Sequence, residues 1–514
     1  MTTESPVQET RLGEQSDTRG VRLPRSLGVW QVLGLSIGLM GLSLSANINP
    51  QGAAPVVGRA IPLTFAIATF GVLLVGYGFA RLSQRYSSAG SVLGLVGATL
   101  GVRAGTVAAW SLLGAYTIFG ITSAIGAGLF GGALLQSLGV VSTAPAWSEY
   151  VITLAVLIIA TALAIIPARR GTSLLLILEA CTVTLILLIS AVVLVKLFAH
   201  SAPGGQRFTW SIFKPEHTTG TSGLFLGVVF GFLSFAGFEA AATSGSEARN
   251  PGRDIPRAII GTVVIGGLFY TFASGIEVLG FGTSAKQLAD FQNSGSLFGT
   301  LGTRYLASWV GDVVTVGTII SAFGGALASI AGGSRLWYSL TDSAVDRPNP
   351  LVRVSARWGT PTGAILTAAV ISCLITALFA WILNFAVLNT FTWLGTVATL
   401  LMLVIYILVT LGAAWLLFFS GDRSLPRREL IIPLAGIVVL GYTIYRNVIP
   451  YPTGPLFWLP IAAGGWILIA VVAVLLFPGL SRRISAGLSK EVDLTKRVEV
   501  EGSHDAVPPQ PTHS

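Results

Sequence analysis

The chain has 514 residues, 53% of them hydrophobic and 10% charged, with a mean hydropathy of +0.76. Soluble globular proteins carry roughly 25% charged residues, so this composition excludes an ordinary soluble fold and points into a bilayer. The basic excess does not mark a nucleic-acid binder: 24 of the 31 Lys and Arg fall in the two ends of the chain and in alternate loops between apolar runs. That is the positive-inside bias of a polytopic membrane protein with both termini cytoplasmic.

A helix crosses the hydrocarbon layer with about 20 apolar residues. Runs at 27–50, 61–80, 104–136, 149–167, 172–199, 221–245, 257–280, 308–338, 361–381, 385–419, 430–449 and 456–477 meet that test, which predicts an all-α protein of about twelve spans. The first 26 residues are polar and lack the apolar core of a cleavable signal, so the first span is expected to direct insertion. Segment 88–101 is short and glycine-rich, and is expected to lie along the cytoplasmic face. Asp254-Ile255-Pro256 and Thr360-Pro361 place helix-starting residues before the seventh and ninth spans. The longest external connection, 281–306, is expected to hold a short surface helix. The predicted organisation is a tail 1–26, one transmembrane domain 27–477, and a tail 478–514.

Backbone inside a bilayer satisfies its own hydrogen bonds unless it is buried in protein or lines a wet cavity. Two spans look interrupted. The first carries Gly34, Gly38 and Gly41 among Ser36, Ser43 and Ser45, followed by Asn47, Asn49 and Pro50; the sixth carries Phe235-Ala236-Gly237-Phe238-Glu239. At ~1.5 Å per residue, both interruptions fall near the midplane, on helices that run in opposite directions. Paired breaks in two inverted halves are the sequence pointer to a transporter's binding site. Gly227 and Gly231, by contrast, have the spacing of a helix-packing contact.

The stretch Phe232-Leu233-Ser234-Phe235-Ala236-Gly237-Phe238-Glu239, with Glu247-Ala248-Arg249-Asn250-Pro251-Gly252-Arg253-Asp254-Ile255-Pro256-Arg257-Ala258-Ile259, resembles the sixth-helix signature of the amino acid–polyamine–organocation permease superfamily. Ser334-Arg335-Leu336-Trp337-Tyr338 with Asp342, Pro350 and Thr360-Pro361-Thr362-Gly363-Ala364-Ile365 resembles the eighth-to-ninth-helix region of the same family. The resemblance implies a leucine-transporter-type fold of two inverted five-helix repeats (27–200 and 221–419) plus two further helices (430–477). It implies alternating-access uptake of amino acids or related amines across a bacterial cytoplasmic membrane, with a polyamine or organic-amine permease, an amino acid exchanger, or a transporter-like sensor as the alternatives. It also implies substrate contacts from Gly38, Met40, Gly41, Leu42 and Ser43 in helix 1 and from Phe232, Leu233, Phe235, Ala236, Gly237 and Phe238 in helix 6. There the substrate's ammonium would meet backbone carbonyls, and its carboxylate the free amides opening the outer half of helix 1. Met40-Gly41-Leu42-Ser43 is bulkier than the Gly-Ser-Gly or Gly-Thr-Gly cluster common in the family, and Leu233 stands where some members have an aromatic gate, with Phe232 beside it. These departures widen the expected cargo to amines and modified amino acids. Thr182 falls at the position of a helix-5 lysine found in some relatives.

An ionisable group within a span is costly and is a functional candidate by default. Glu179 and Glu239 lie in the inner half of helices 5 and 6 and are expected to carry the coupling proton, with sodium as the rival ion. Glu277 and Asp312 lie near external helix ends and are expected to be hydrated. No cofactor or metal is expected. The cysteines Cys181 and Cys373 lie in separate apolar runs, and the histidines (His200, His217, His504, His513) fall in loops or the C-terminal tail, so an enzyme's catalytic cluster is not in view.

Overall fold

A computed structural model describes residues 28–86, 92–166, 169–215, 220–243, 248–344, 352–355, 357–419, 427–477 and 479. Glu247 and Pro350 of the family-like stretches and, Gly479 apart, the two predicted tails lie outside them. Most of the described residues are helical, with no strand among them. Among the described residues, ten helices are long and apolar enough to cross a membrane. The first of these, Val29–Arg85, turns back at Gly58 (φ 55°, ψ −131°) and so makes two crossings. The interrupted sixth helix adds another, in accord with the twelve runs in the sequence.

Helix 1 is split into α1 (Val29–Met40) and α2 (Leu42–Val57); α3 (Ile61–Arg85) follows. α2 extends seven residues past the predicted end of the first span, through Pro50 and Pro55. A short α4 (Val92–Leu100) precedes the long α5 (Val102–Ser137), α6 (Ala146–Ile165) and α7 (Arg169–Phe198). Next, α8 (Gly220–Ser234) and α9 (Ala240–Thr243) form the split sixth helix, followed by α10 (Pro251–Phe281). The connection predicted to be external folds into two helices, α11 (Ala285–Gln292) and α12 (Leu297–Tyr305), rather than one on the surface. Phe291, Leu297, Phe298 and Leu301 are fully buried, so this segment is a packed cap. The remaining spans are α13 (Ser308–Ala344), α14 (Thr362–Ala377), α15 (Val387–Ala414), α16 (Ile431–Val448) and α17 (Trp458–Leu476).

The helices pack in pairs that include α3 on α10, α5 on α13, α6 on α14, and α2 on α8. Lipid is as apolar as leucine, so these seams rest on close approach rather than on water exclusion. Gly227 and Gly231 bear this out. A Cβ at Gly227 would lie 2.6 Å from Val57, and one at Gly231 would lie 2.5 Å from Ala68. α10 begins at Pro251, earlier than predicted, where Asp254 reaches back to accept the Asn250 N–H at 3.1 Å.

Candidate functional site

Helix 1 breaks at one residue. Gly41 adopts the left-handed conformation (φ 56°, ψ 65°), ending α1 and starting α2 afresh. A new helix start leaves amides without intrahelical partners, and side chains from other helices answer them. Ser43 N–H donates to Glu179 Oε1 of α7 at 2.8 Å, and Leu44 N–H donates to Ser321 Oγ of α13 at 3.3 Å. A carboxylate at a helix N-terminus is also favoured by the helix dipole. Glu179 Oε2 and Ser43 Oγ are buried without a hydrogen-bond partner. So is the hydroxyl of Tyr270 on α10, which faces Ser45 and Glu179.

Helix 6 breaks over five residues. Phe235 to Glu239 form successive tight turns, with Phe238 N–H donating to Phe235 O at 3.1 Å and Ala240 N–H to Gly237 O at 3.0 Å. Gly237 takes φ 106°, open to glycine alone at little cost. Its N–H donates to Glu239 Oε2 at 3.1 Å. The Glu239 carboxylate also accepts from Tyr116 of α5 at 3.2 Å and Tyr406 of α15 at 3.5 Å. Tyr406 and Phe79 close around Phe238, with ring centroids 5.4 and 5.5 Å from it. Phe235 meets Tyr270 edge-on at 5.5 Å.

The two breaks touch. Ser36 Oγ of α1 donates to Phe238 O at 3.3 Å, and a Cβ on Gly237 would lie 3.1 Å from the Leu39 Cβ. The structure thus brings together Met40, Gly41, Leu42 and Ser43 with Phe235, Ala236, Gly237 and Phe238, and sets Glu179 and Glu239 at opposite sides of the junction. Three other candidates face elsewhere. Gly38 packs under Leu176 of α7, Phe232 points to Gly71 of α3, and Leu233 lies against Gly395 of α15. Thr182 donates to its own helix at Leu178 O and packs on Gly317, so the helix-5 side chain that reaches the break is Glu179, one turn earlier.

Glu277 corrects an expectation. It is fully buried, and neither carboxylate oxygen has a partner; the α11–α12 cap covers the end of α10 that the sequence left open to water. Asp312 is half-buried and accepts from Ser137. Sequence reasoning took Asn47 as part of the break, whereas it bolts α2 to its neighbours. Its Nδ2 donates to Thr318 Oγ1 at 3.0 Å, and its Oδ1 accepts from Phe298 N–H at 2.8 Å and Ser296 Oγ at 3.2 Å. It missed Tyr116, Tyr270, Tyr406 and Ser321. Their signal is faint: single polar groups on otherwise apolar faces.

A bundle of apolar helices, two of them split and touching within its core, is an integral membrane protein of the broken-helix carrier class. A family model for amino acid permeases matches residues 27–479, and the chain belongs to that family, within the amino acid–polyamine–organocation superfamily. The chain is 23% identical over 390 residues to a branched-chain amino acid permease of Bacillus subtilis, covering 74% of this chain and 81% of the relative. It is 25% identical over 429 residues to a branched-chain amino acid permease of Lactococcus lactis, covering 80% and 86%. It is 24% identical over 345 residues to a low-affinity putrescine importer of Escherichia coli, covering 65% and 72%.

Proposed function

We propose that the chain is a secondary active carrier that brings an amino acid or related amine across the bacterial cytoplasmic membrane by alternating access, coupled to protons. The observation that carries this reading is the contact of the two breaks, with Glu179 on the Ser43 amide and Glu239 on the Gly237 amide. The C-terminal ends of α1 and α8 direct carbonyls and negative helix-dipole ends at the junction, where an ammonium group is favoured. An arriving substrate carboxylate competes with Glu179 for the Ser43 amide. Displaced from it, Glu179 is better neutral than charged in a low-dielectric surrounding, so substrate and proton travel together. Glu239, held by the Gly237 amide and the hydroxyls of Tyr116 and Tyr406, is the second group that takes up and releases the proton.

Glu179 also supports a second reading within the same class. It already fills the anion seat at the start of α2, so an amine lacking a carboxylate can bind without displacing it. A thermal-shift screen of the purified protein separates the two. Binding to the folded state stabilises by about 2.7 kcal/mol at a hundredfold excess over Kd. Stabilisation by apolar amino acids supports the first reading, stabilisation by amines alone supports the second, and stabilisation by neither class rejects both.

A further inference from the structure

Four arginines gather where α3 ends and α10 begins: Arg81, Arg85, Arg253 and Arg257. There the two helices frame a cavity of about 420 Å³ lined by Tyr77, Ala80, Arg81, Gln84, Arg257 and Ile260. None of these residues belongs to the junction of the breaks. Arg81 is 3.1 Å from Glu429 Oε2 and lies over the Tyr77 ring, and Tyr77 donates to the same carboxylate at 2.7 Å. Glu429 therefore neutralises one guanidinium, and the exposed Arg257 leaves the cavity with a net positive charge. Ala80, Pro256 and Ile260 give it an apolar floor.

The outward face of α10 continues from this cavity as an apolar stripe. Val264, Leu268 and Phe272 are 39%, 69% and 40% exposed, spaced at helical intervals after Arg257. From Arg257 to Phe272 the helix rises roughly 22 Å. Cation and track are thus continuous on one face.

We propose that this groove binds an anionic phospholipid, its phosphate held by Arg257 and Arg81 and one acyl chain lying along Val264, Leu268 and Phe272. Basic recesses between spans at a membrane surface take such headgroups. A free phosphate would satisfy the arginines alone. A zwitterionic lipid would bring its own cation against Arg257. An anionic diacyl lipid matches both the charge and the stripe.

The test is native mass spectrometry of the purified full chain in detergent, titrated with phosphatidylglycerol or phosphatidylcholine of the same acyl composition. Wild type is expected to retain one phosphatidylglycerol in preference to phosphatidylcholine. Arg257→Gln is expected to weaken that retention about fivefold, Arg257→Lys to restore most of it, and Ile260→Trp, which fills the groove, to abolish it. Arg304→Gln removes a basic residue near the opposite end of α10, one that stacks on Phe281, and is expected to change nothing. Equal retention of the two lipids, unchanged retention in both Arg257→Gln and Ile260→Trp, or displacement of phosphatidylglycerol by equimolar inorganic phosphate would overturn the assignment.

Discussion

Gly237→Ala probes the junction most sharply. The backbone there has φ 106°, a region that costs a side-chain-bearing residue on the order of 1–3 kcal/mol. The added methyl would also sit 3.1 Å from the Leu39 Cβ and 3.2 Å from the Leu39 carbonyl carbon. The second atom is backbone, so no rotamer change relieves it, and overpacking of this kind costs typically 1–3 kcal/mol more. The expected total, roughly 2–6 kcal/mol, is large against a native stability of about 5–15 kcal/mol. Gly441→Ala supplies the reference: it lies within α16, where a Cβ meets nothing within 4 Å, and alanine there is worth up to about 1 kcal/mol in helix propensity. Thermal unfolding in detergent and substrate uptake in liposomes are measured on both. Gly237→Ala is expected to melt lower and to lose uptake in whatever fraction remains folded, while Gly441→Ala keeps both. Indistinguishable melting and uptake in the two variants would refute the claim that the breaks meet in backbone contact at Gly237.

Further outcomes follow from single side chains. Glu179→Leu leaves the Ser43 N–H buried without an acceptor, which costs about 1–3 kcal/mol; Glu179→Gln keeps an acceptor and is expected to retain most of the melting temperature, so a fall of equal size in both would contradict the hydrogen bond. Glu277→Met removes a buried carboxyl that has no partner at similar volume, and is expected to raise stability by about 1–3 kcal/mol; a lower melting temperature would show that the carboxyl is satisfied after all. Asn47→Ala strands the Phe298 N–H and frees α2 from α12, with an expected loss of about 1–3 kcal/mol and faster hydrogen exchange at the start of α12. Unaltered exchange there would remove Asn47 as the bolt.

The spans were legible in the sequence because a bilayer allows few solutions. Twenty apolar residues, satisfied internally, are a helix. The breaks were legible for the same reason, since Gly41 and Gly237 stand where continuous helix would be the default. What the sequence hid depends on which face of a helix meets which neighbour. Phe232 and Phe235 are the same residue type three positions apart, yet one packs on α3 and the other on Tyr270. Glu277 sits at a helix end that would be wet in isolation, and α11 and α12 pack on that end with Phe291, Phe298 and Leu301 buried. Thr182 and Glu179 lie one turn apart on α7, and the hydrogen bond from the Ser43 N–H singles out Glu179.

Proton movement with substrate is the most direct measurement of the coupled carrier. Liposomes holding the purified protein and a trapped pH-sensitive dye are given substrate, with sodium absent and the membrane potential clamped. Wild type is expected to acidify or alkalinise the lumen with the direction of substrate flux, while Glu239→Gln binds substrate yet moves no protons with it. Substrate entry without any change in luminal pH, or entry that requires sodium and proceeds undiminished in both Glu179→Gln and Glu239→Gln, would contradict the account.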